Sequence, residues 1–194
     1  MLIKKSQIPI LITNIIYLII FLFYYIRKLN YEFIIYVAVI LFFLGLIIAT
    51  NKKVNYPDFT LWGMTLWGFM HMAGGSIRIN SEILYKLILI PINTNLFRYD
   101  QLVHIIGFCV ATLIMYHIIK PHLKTDKWVA VSIVIIMAGL GVGALNEIIE
   151  FIAVLLIPET NVGGYINTSL DLVADLIGAV IAMVIIRVKN KIVT

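Results

Sequence analysis

Apolar residues along this chain come in long runs separated by short charged punctuation, and the run lengths define the elements. A membrane-spanning helix needs about 20 mostly apolar residues. Runs at about 8–26 and 33–49 fit, closed by Arg27 and Lys28 and by Lys52 and Lys53. A third, at about 60–74, is short and Trp-rich and ends in HMAGG. The fourth, at about 100–119, is stopped by Lys120 and Pro121. The fifth, at about 128–157, is too long for a simple crossing and contains GLGVG at 139–143, where close packing or a break is expected. The sixth, at about 169–186, closes on Arg187, Lys189 and Lys191. Between the third and fourth runs, the apolar stretch 83–90 is too short to span and is interrupted by Lys86, so it reads as an interfacial or re-entrant segment. The pattern predicts an all-α, multi-pass transmembrane helical bundle of about six spans plus that short segment, forming a single integral membrane domain over 1–194.

Composition agrees. With 62% hydrophobic and 13% charged residues and a mean hydropathy of +1.03, a soluble domain is excluded. The first run is long and no small-residue cleavage site follows it, so it is expected to stay as a span and not to leave as a signal peptide. Cys109 is the single cysteine and cannot form an intramolecular disulfide. The net charge of +5 comes from Lys and Arg pairs between apolar runs, the pattern of topology signals and not of a nucleic-acid surface. With six spans and the N-terminus inside, inner segments carry ten cations: Lys4, Lys5, Lys52, Lys53, Lys120, Lys124, Lys127, Arg187, Lys189 and Lys191. Outer segments carry five: Arg27, Lys28, Arg78, Lys86 and Arg98. Ten against five predicts a cell-membrane protein (inner or plasma membrane) with both termini in the cytoplasm.

The acids change the picture. A charged residue at the bilayer centre costs roughly 2.5–3.5 kcal/mol on insertion scales, yet GALNEIIEF at 143–151 carries Glu147 and Glu150 on one helix face. Asp100 and His104 lie four apart at the start of the fourth helix, and Asn167, Asp171 and Asp175 repeat every four residues along the sixth. The turn between helices five and six falls near 161–164, after Pro158, so Glu150 and the Asp171–Asp175 stripe leave it to comparable depth. His71 closes the third helix at the same, outer side. Residues from four helices are therefore expected to converge. Taken singly, Asp100 also suits a helix N-terminus, Asn167 a cap and His71 an interface. Neither caps nor dipoles explain two glutamates inside an apolar run, and two arginines cannot neutralise five carboxylates.

Protons or a divalent cation can neutralise them. Carboxylate-plus-imidazole sets suit zinc, manganese, iron or magnesium, and helical bundles build such sites from inward-facing acids and histidines. The candidate ligands are His71, Asp100, His104, Glu147, Glu150, Asp171 and Asp175, with Glu147, Glu150, Asp171 and His104 as candidate catalytic groups. Asn146 and Asn167 are candidate supporting or substrate-binding groups. Arg78 and Arg98 either hold a phosphate head group bidentately or anchor at the interface.

HMAGG (71–75), RYDQLVHIIGF (98–108), GALNEIIEF (143–151) and NTSLDLVADLIGA (167–179) occur in an order that resembles an uncharacterised bacterial inner-membrane family typified by YjdF, and more distantly the VanZ-like family. The likeness covers the chain from His71 onward. It implies a multi-pass membrane protein with a polar cluster and brings no established activity. The residues support a membrane-embedded enzyme acting on a lipid or lipid-linked envelope precursor with metal assistance. The alternatives are a proton- or cation-coupled transporter, disfavoured by the one-sided acids and the lack of an internal repeat, and a non-catalytic membrane scaffold.

Overall fold

The computed structural model describes residues 3–91, 97–123, 127–158 and 160–193, with side chains to residue 189. Lys124 and the side chain of Lys191, counted above among the cations, lie outside the described residues. Six long helices carry the architecture: α1 (Ile8–Arg27), α2 (Tyr31–Val54), α3 (Asp58–Ser76), α4 (Tyr99–Ile119), α5 (Trp128–Leu156) and α6 (Tyr165–Val193). All except α3 are long and apolar enough to cross a membrane. The third is the shortest, at 19 residues, and its Gly, Thr and His content dilutes its hydropathy.

Local chemistry sets the boundaries. Pro9 opens α1, where its missing N–H would have no helical partner. The Asn30 side chain caps α2 by accepting from Phe33 N at 3.1 Å, and α2 ends at Asn55 in the left-handed conformation, φ 58°. Four tyrosine hydroxyls donate to carbonyls near the end of α3: Tyr99 to Met70, Tyr85 to His71, Tyr25 to Met72 and Tyr24 to Ser76.

The segment between α3 and α4 forms two small antiparallel hairpins: β1 (Arg78–Ile79) with β2 (Glu82–Ile83), and β3 (Ile88–Ile90) with β4 (Phe97–Arg98). A one-turn helix at Leu84–Lys86 joins them. Too short to bury its backbone as a helix, the stretch pairs it in strands instead. Nor does the glycine-rich part of α5 break the helix, which runs unbroken from Trp128 to Leu156. Its glycines serve packing.

At the centre, α4 packs on α3, α5 and α6. The α4–α6 contact is backbone-close: a Cβ added to Gly178 would meet the carbonyl oxygen of Ile105 and lie 2.9 Å from Cys109 N. Ala174 and Ala182, one turn either side of Gly178, are buried, and Ala179 is buried against Gly139 of α5, where an added Cβ would lie 3.2 Å from it. Small residues let membrane helices approach where lipid offers no hydrophobic drive to bring them together. Outward, Ile12, Ile16, Ile19, Ile20 and Phe23 leave α1 broadly apolar and exposed, as a lipid-facing surface requires.

Candidate functional site

The small-residue stripe of α6 continues toward its N-terminus as Asp175, Asp171 and Asn167, so close packing on α4 carries these side chains inward. Asp171 and Asp175 are completely buried. On α4 the facing turn supplies Asp100, Gln101 and His104, and on α5 Glu147 is buried beside them. Gly143, one turn before Glu147, makes the room: a Cβ there would collide with the Asp175 carboxylate. All these positions lie at the end of the bundle where α4 and α6 begin and α3 ends.

His104 sits among four carboxylates. Its Nδ1 is 2.8 Å from Asp175 Oδ1 and 4.0 Å from Glu147 Oε1. Its Nε2 is 3.8 Å from Asp100 Oδ1 and 4.0 Å from Asp171 Oδ1. The ring therefore faces one acid pair with each nitrogen. Two groups are compact enough to hold a metal ion, Asp100–His104–Asp171 and His104–Glu147–Asp175. They differ in how their oxygens are satisfied. Gln101 Nε2 donates to Asp171 Oδ1 at 2.6 Å, and Asn167 Nδ2 donates to Asp171 Oδ2 at 2.5 Å and Asp100 Oδ2 at 3.1 Å. Glu147 Oε2 and Asp175 Oδ2 are buried and have no hydrogen-bond partner. Among the described residues, no Lys or Arg pairs with any of the four acids.

Glu150, Asn146, His71, Arg78 and Arg98, also singled out by sequence, are not members of these two groups. Glu150 is half-buried and accepts from Asn146 Nδ2 at 3.0 Å, the same amide lying 3.5 Å from Glu147 Oε1. His71 occupies an aromatic box, stacked on Trp67 with ring centroids 5.6 Å apart and bonded through Nδ1 to the Tyr85 phenol. Burial pushes that phenol well above the usual tyrosine range, so it stays protonated. Arg78 is exposed and donates to the Ser81 carbonyl across its hairpin turn at 2.9 Å. Arg98 precedes α4, and its backbone N–H donates to Gln101 Oε1 at 3.0 Å.

Sequence reasoning passed over two members of this end of the bundle. Gln101 bridges Asp100 and Asp171, with its place between Asp100 and His104 as the only sequence signal. Glu32 is buried at the start of α2 and accepts from Asn161 N at 2.8 Å. An acid followed by FIIY was the available cue, obscured because a first-turn acid is ordinary helix chemistry.

Searches of curated proteins and of solved structures find no match to this chain. A family profile does match, over residues 9–191, nearly the whole sequence and both of the motif-poor first helices. It accords with the resemblance to an uncharacterised inner-membrane family. The chain belongs to the family described as "Predicted membrane protein (DUF2238)".

Proposed function

We propose that the cluster is a divalent-metal centre of a membrane-embedded enzyme acting on a lipid or lipid-linked envelope precursor. The observation that carries this reading is the pair of orphaned oxygens, Glu147 Oε2 and Asp175 Oδ2, beside His104. An unpaired buried carboxylate is among the costliest groups a bundle can hold, and an ion between them turns that cost into coordination. His104, Glu147 and Asp175 would hold it. The donor set of one imidazole and two carboxylates suits zinc, manganese or iron, and magnesium is a further candidate. Such an ion polarises a phosphoryl oxygen or activates a bound water.

The chain's own residues supply the remainder. Gln101 and Asn167 fix the Asp171 carboxylate, and Asn167 also holds Asp100, both acids facing Nε2 of His104, opposite the Nδ1 edge where Glu147 and Asp175 would hold the ion. Asp100 is the member left partly open at the end of the bundle, its side chain 18% exposed, where a head group can arrive and a proton can be exchanged. Glu150, held by Asn146, is the second candidate for proton transfer. Arg98, just before α4, and Arg78, in the hairpin, would be the cations available to a phosphate. His71 orders the aromatic wall through Tyr85 and is not needed as a ligand. Both termini would lie in the cytoplasm, putting the cluster toward the outer leaflet.

Elemental analysis of protein purified without chelators tests this. About one to two divalent ions per chain are expected, the range of carboxylate sites in helical bundles, and His104→Ala should lose them while keeping its helical content. Absence of stoichiometric metal in the wild type would overturn the reading. Reporter fusions at Thr194 and within 161–164 should report opposite sides; the same side for both would refute the topology.

A further inference from the structure

A second feature reaches the cluster from within the bundle. The main contacts of α2 are with α1 and α3, and from Val39 to Thr50 it faces α4 and α5 across a gap. The space between is a cavity of about 310 Å³. Phe43 and Leu46 of α2, Ala111 and Ile114 of α4, and Leu145 of α5 form apolar walls. Leu46 and Leu145 nevertheless remain 45% and 44% exposed, so the slot opens sideways between α2 and α5, toward lipid.

Its dimensions match a particular occupant. The lining along α4 runs from Gly107 to Ile118, about 16 Å at 1.5 Å per residue. One leaflet of a ~30 Å hydrocarbon core is about 15 Å deep. The two ends also differ chemically. At one end the wall is Asn146, whose amide donates to Glu150. At the other, Thr50 and Tyr56 close it, hydroxyl to hydroxyl at 3.1 Å. An apolar slot about one leaflet long, open to lipid and bounded at one end by Asn146, the neighbour of Glu147, has the form of a tail pocket.

We propose that this slot holds one acyl chain of a membrane amphiphile, admitted between α2 and α5, with its head group at the acid cluster. The head group's place rests on the metal-centre reading above, whereas the tail's place in the slot does not.

The test is photolabelling of the full chain in vesicles of phosphatidylglycerol carrying a diazirine in one acyl chain, with adducts mapped by mass spectrometry. Adducts are expected on the slot faces of α2, α4 and α5 as well as on the outer face of α1, which meets bulk lipid. Filling the slot with Ala111→Trp, or with Ala111→Phe should the larger side chain impair folding, should lower slot adducts about fivefold or more, because a filled cavity cannot admit the tail. Labelling at Ile16 and Ile20 should not change. Labelling confined to α1, or slot adducts unaffected by both substitutions, would overturn the proposal. Loss of metal stoichiometry with slot adducts intact would instead count against the metal centre alone.

Discussion

Two buried polar networks lie at opposite ends of this bundle, and they are built on different principles. At the end where α1 begins, Gln7 Nε2 donates to Tyr56 O at 3.1 Å, Asn51 Nδ2 donates to Gln7 Oε1 at 2.7 Å, and Tyr56 N donates to Asn51 Oδ1 at 3.2 Å. These three side chains are neutral, with Lys4 Nζ adding a part-buried donor to Tyr56 O at 3.4 Å, and none of their buried atoms lacks a partner. This network ties the start of α1 to the end of α2 and the approach to α3. At the other end, four carboxylates surround one imidazole and two of their oxygens have nothing to bond. A closed neutral network is what structure alone asks of buried polar groups. The acid cluster exceeds that requirement, and the proposed metal centre rests on that excess.

The sharpest way to break this comparison is to remove the unpartnered oxygens. Glu147→Gln and Asp175→Asn should each weaken divalent-metal binding more than ~100-fold, beyond the 10–100-fold typical of outer-shell partners. Thermal stability of the metal-free protein should be held. Competition titration against a chromogenic chelator, alongside melts in detergent, reads both. Substituted proteins that bind as tightly as wild type would make the cluster merely structural.

Gln7→Leu should show the opposite profile. It removes the Gln7 acceptor from Asn51 Nδ2 and one donor from the Tyr56 carbonyl, which keeps Lys4 Nζ at 3.4 Å, costing about 0.5–1.5 kcal/mol per lost bond, and should leave metal affinity unchanged. A loss of metal without a loss of stability would reverse the roles assigned to the two ends. Between these extremes, Asn167→Ala removes a donor from Asp171 and Asp100 without touching a proposed ligand. About a tenfold loss of affinity is expected, the lower end of outer-shell effects.

Much of this was legible before any coordinates. Lengths of apolar runs located all six helices, and a four-residue period placed Asp171 and Asp175 on one face, because helical geometry is local. Of the seven residues expected to converge, Asp100, His104, Glu147, Asp171 and Asp175 form the two groups, as antiparallel helices leaving common turns imply, while Glu150 accepts from Asn146 and His71 sits in its aromatic box. Side-chain partners were less legible. His71 shares the cluster's end of the bundle, but its rotamer is set by Trp67 and Tyr85, and Tyr85 lies in a segment whose two hairpins no periodicity announced. Gln101 was hidden because an amide beside a first-turn acid carries no signal of its own. The slot was invisible because it depends on where α2 does not pack.

Glu32 offers the finest discrimination, since it is an acid at the cluster's end of the bundle that is satisfied like the amides at the other. One of its oxygens accepts from Asn161 N at 2.8 Å and from Asn161 Nδ2 at 3.4 Å, fastening the loop between α5 and α6 onto α2. Glu32→Gln keeps an oxygen acceptor for the backbone donor and loses only the charge. Hydrogen bonds to charged groups contribute about 1.5–3 kcal/mol against about 0.5–1.5 kcal/mol for neutral ones, so a destabilisation of about 1 kcal/mol or less is expected. Metal content should be untouched, because the carboxylate serves the loop and not an ion. Thermal melts and elemental analysis of the same preparation separate the two effects. If Glu32→Gln lowers metal retention as much as Asn167→Ala does, hydrogen-bond satisfaction fails as the criterion dividing structural from functional polar groups in this bundle, and Glu32 belongs with His104.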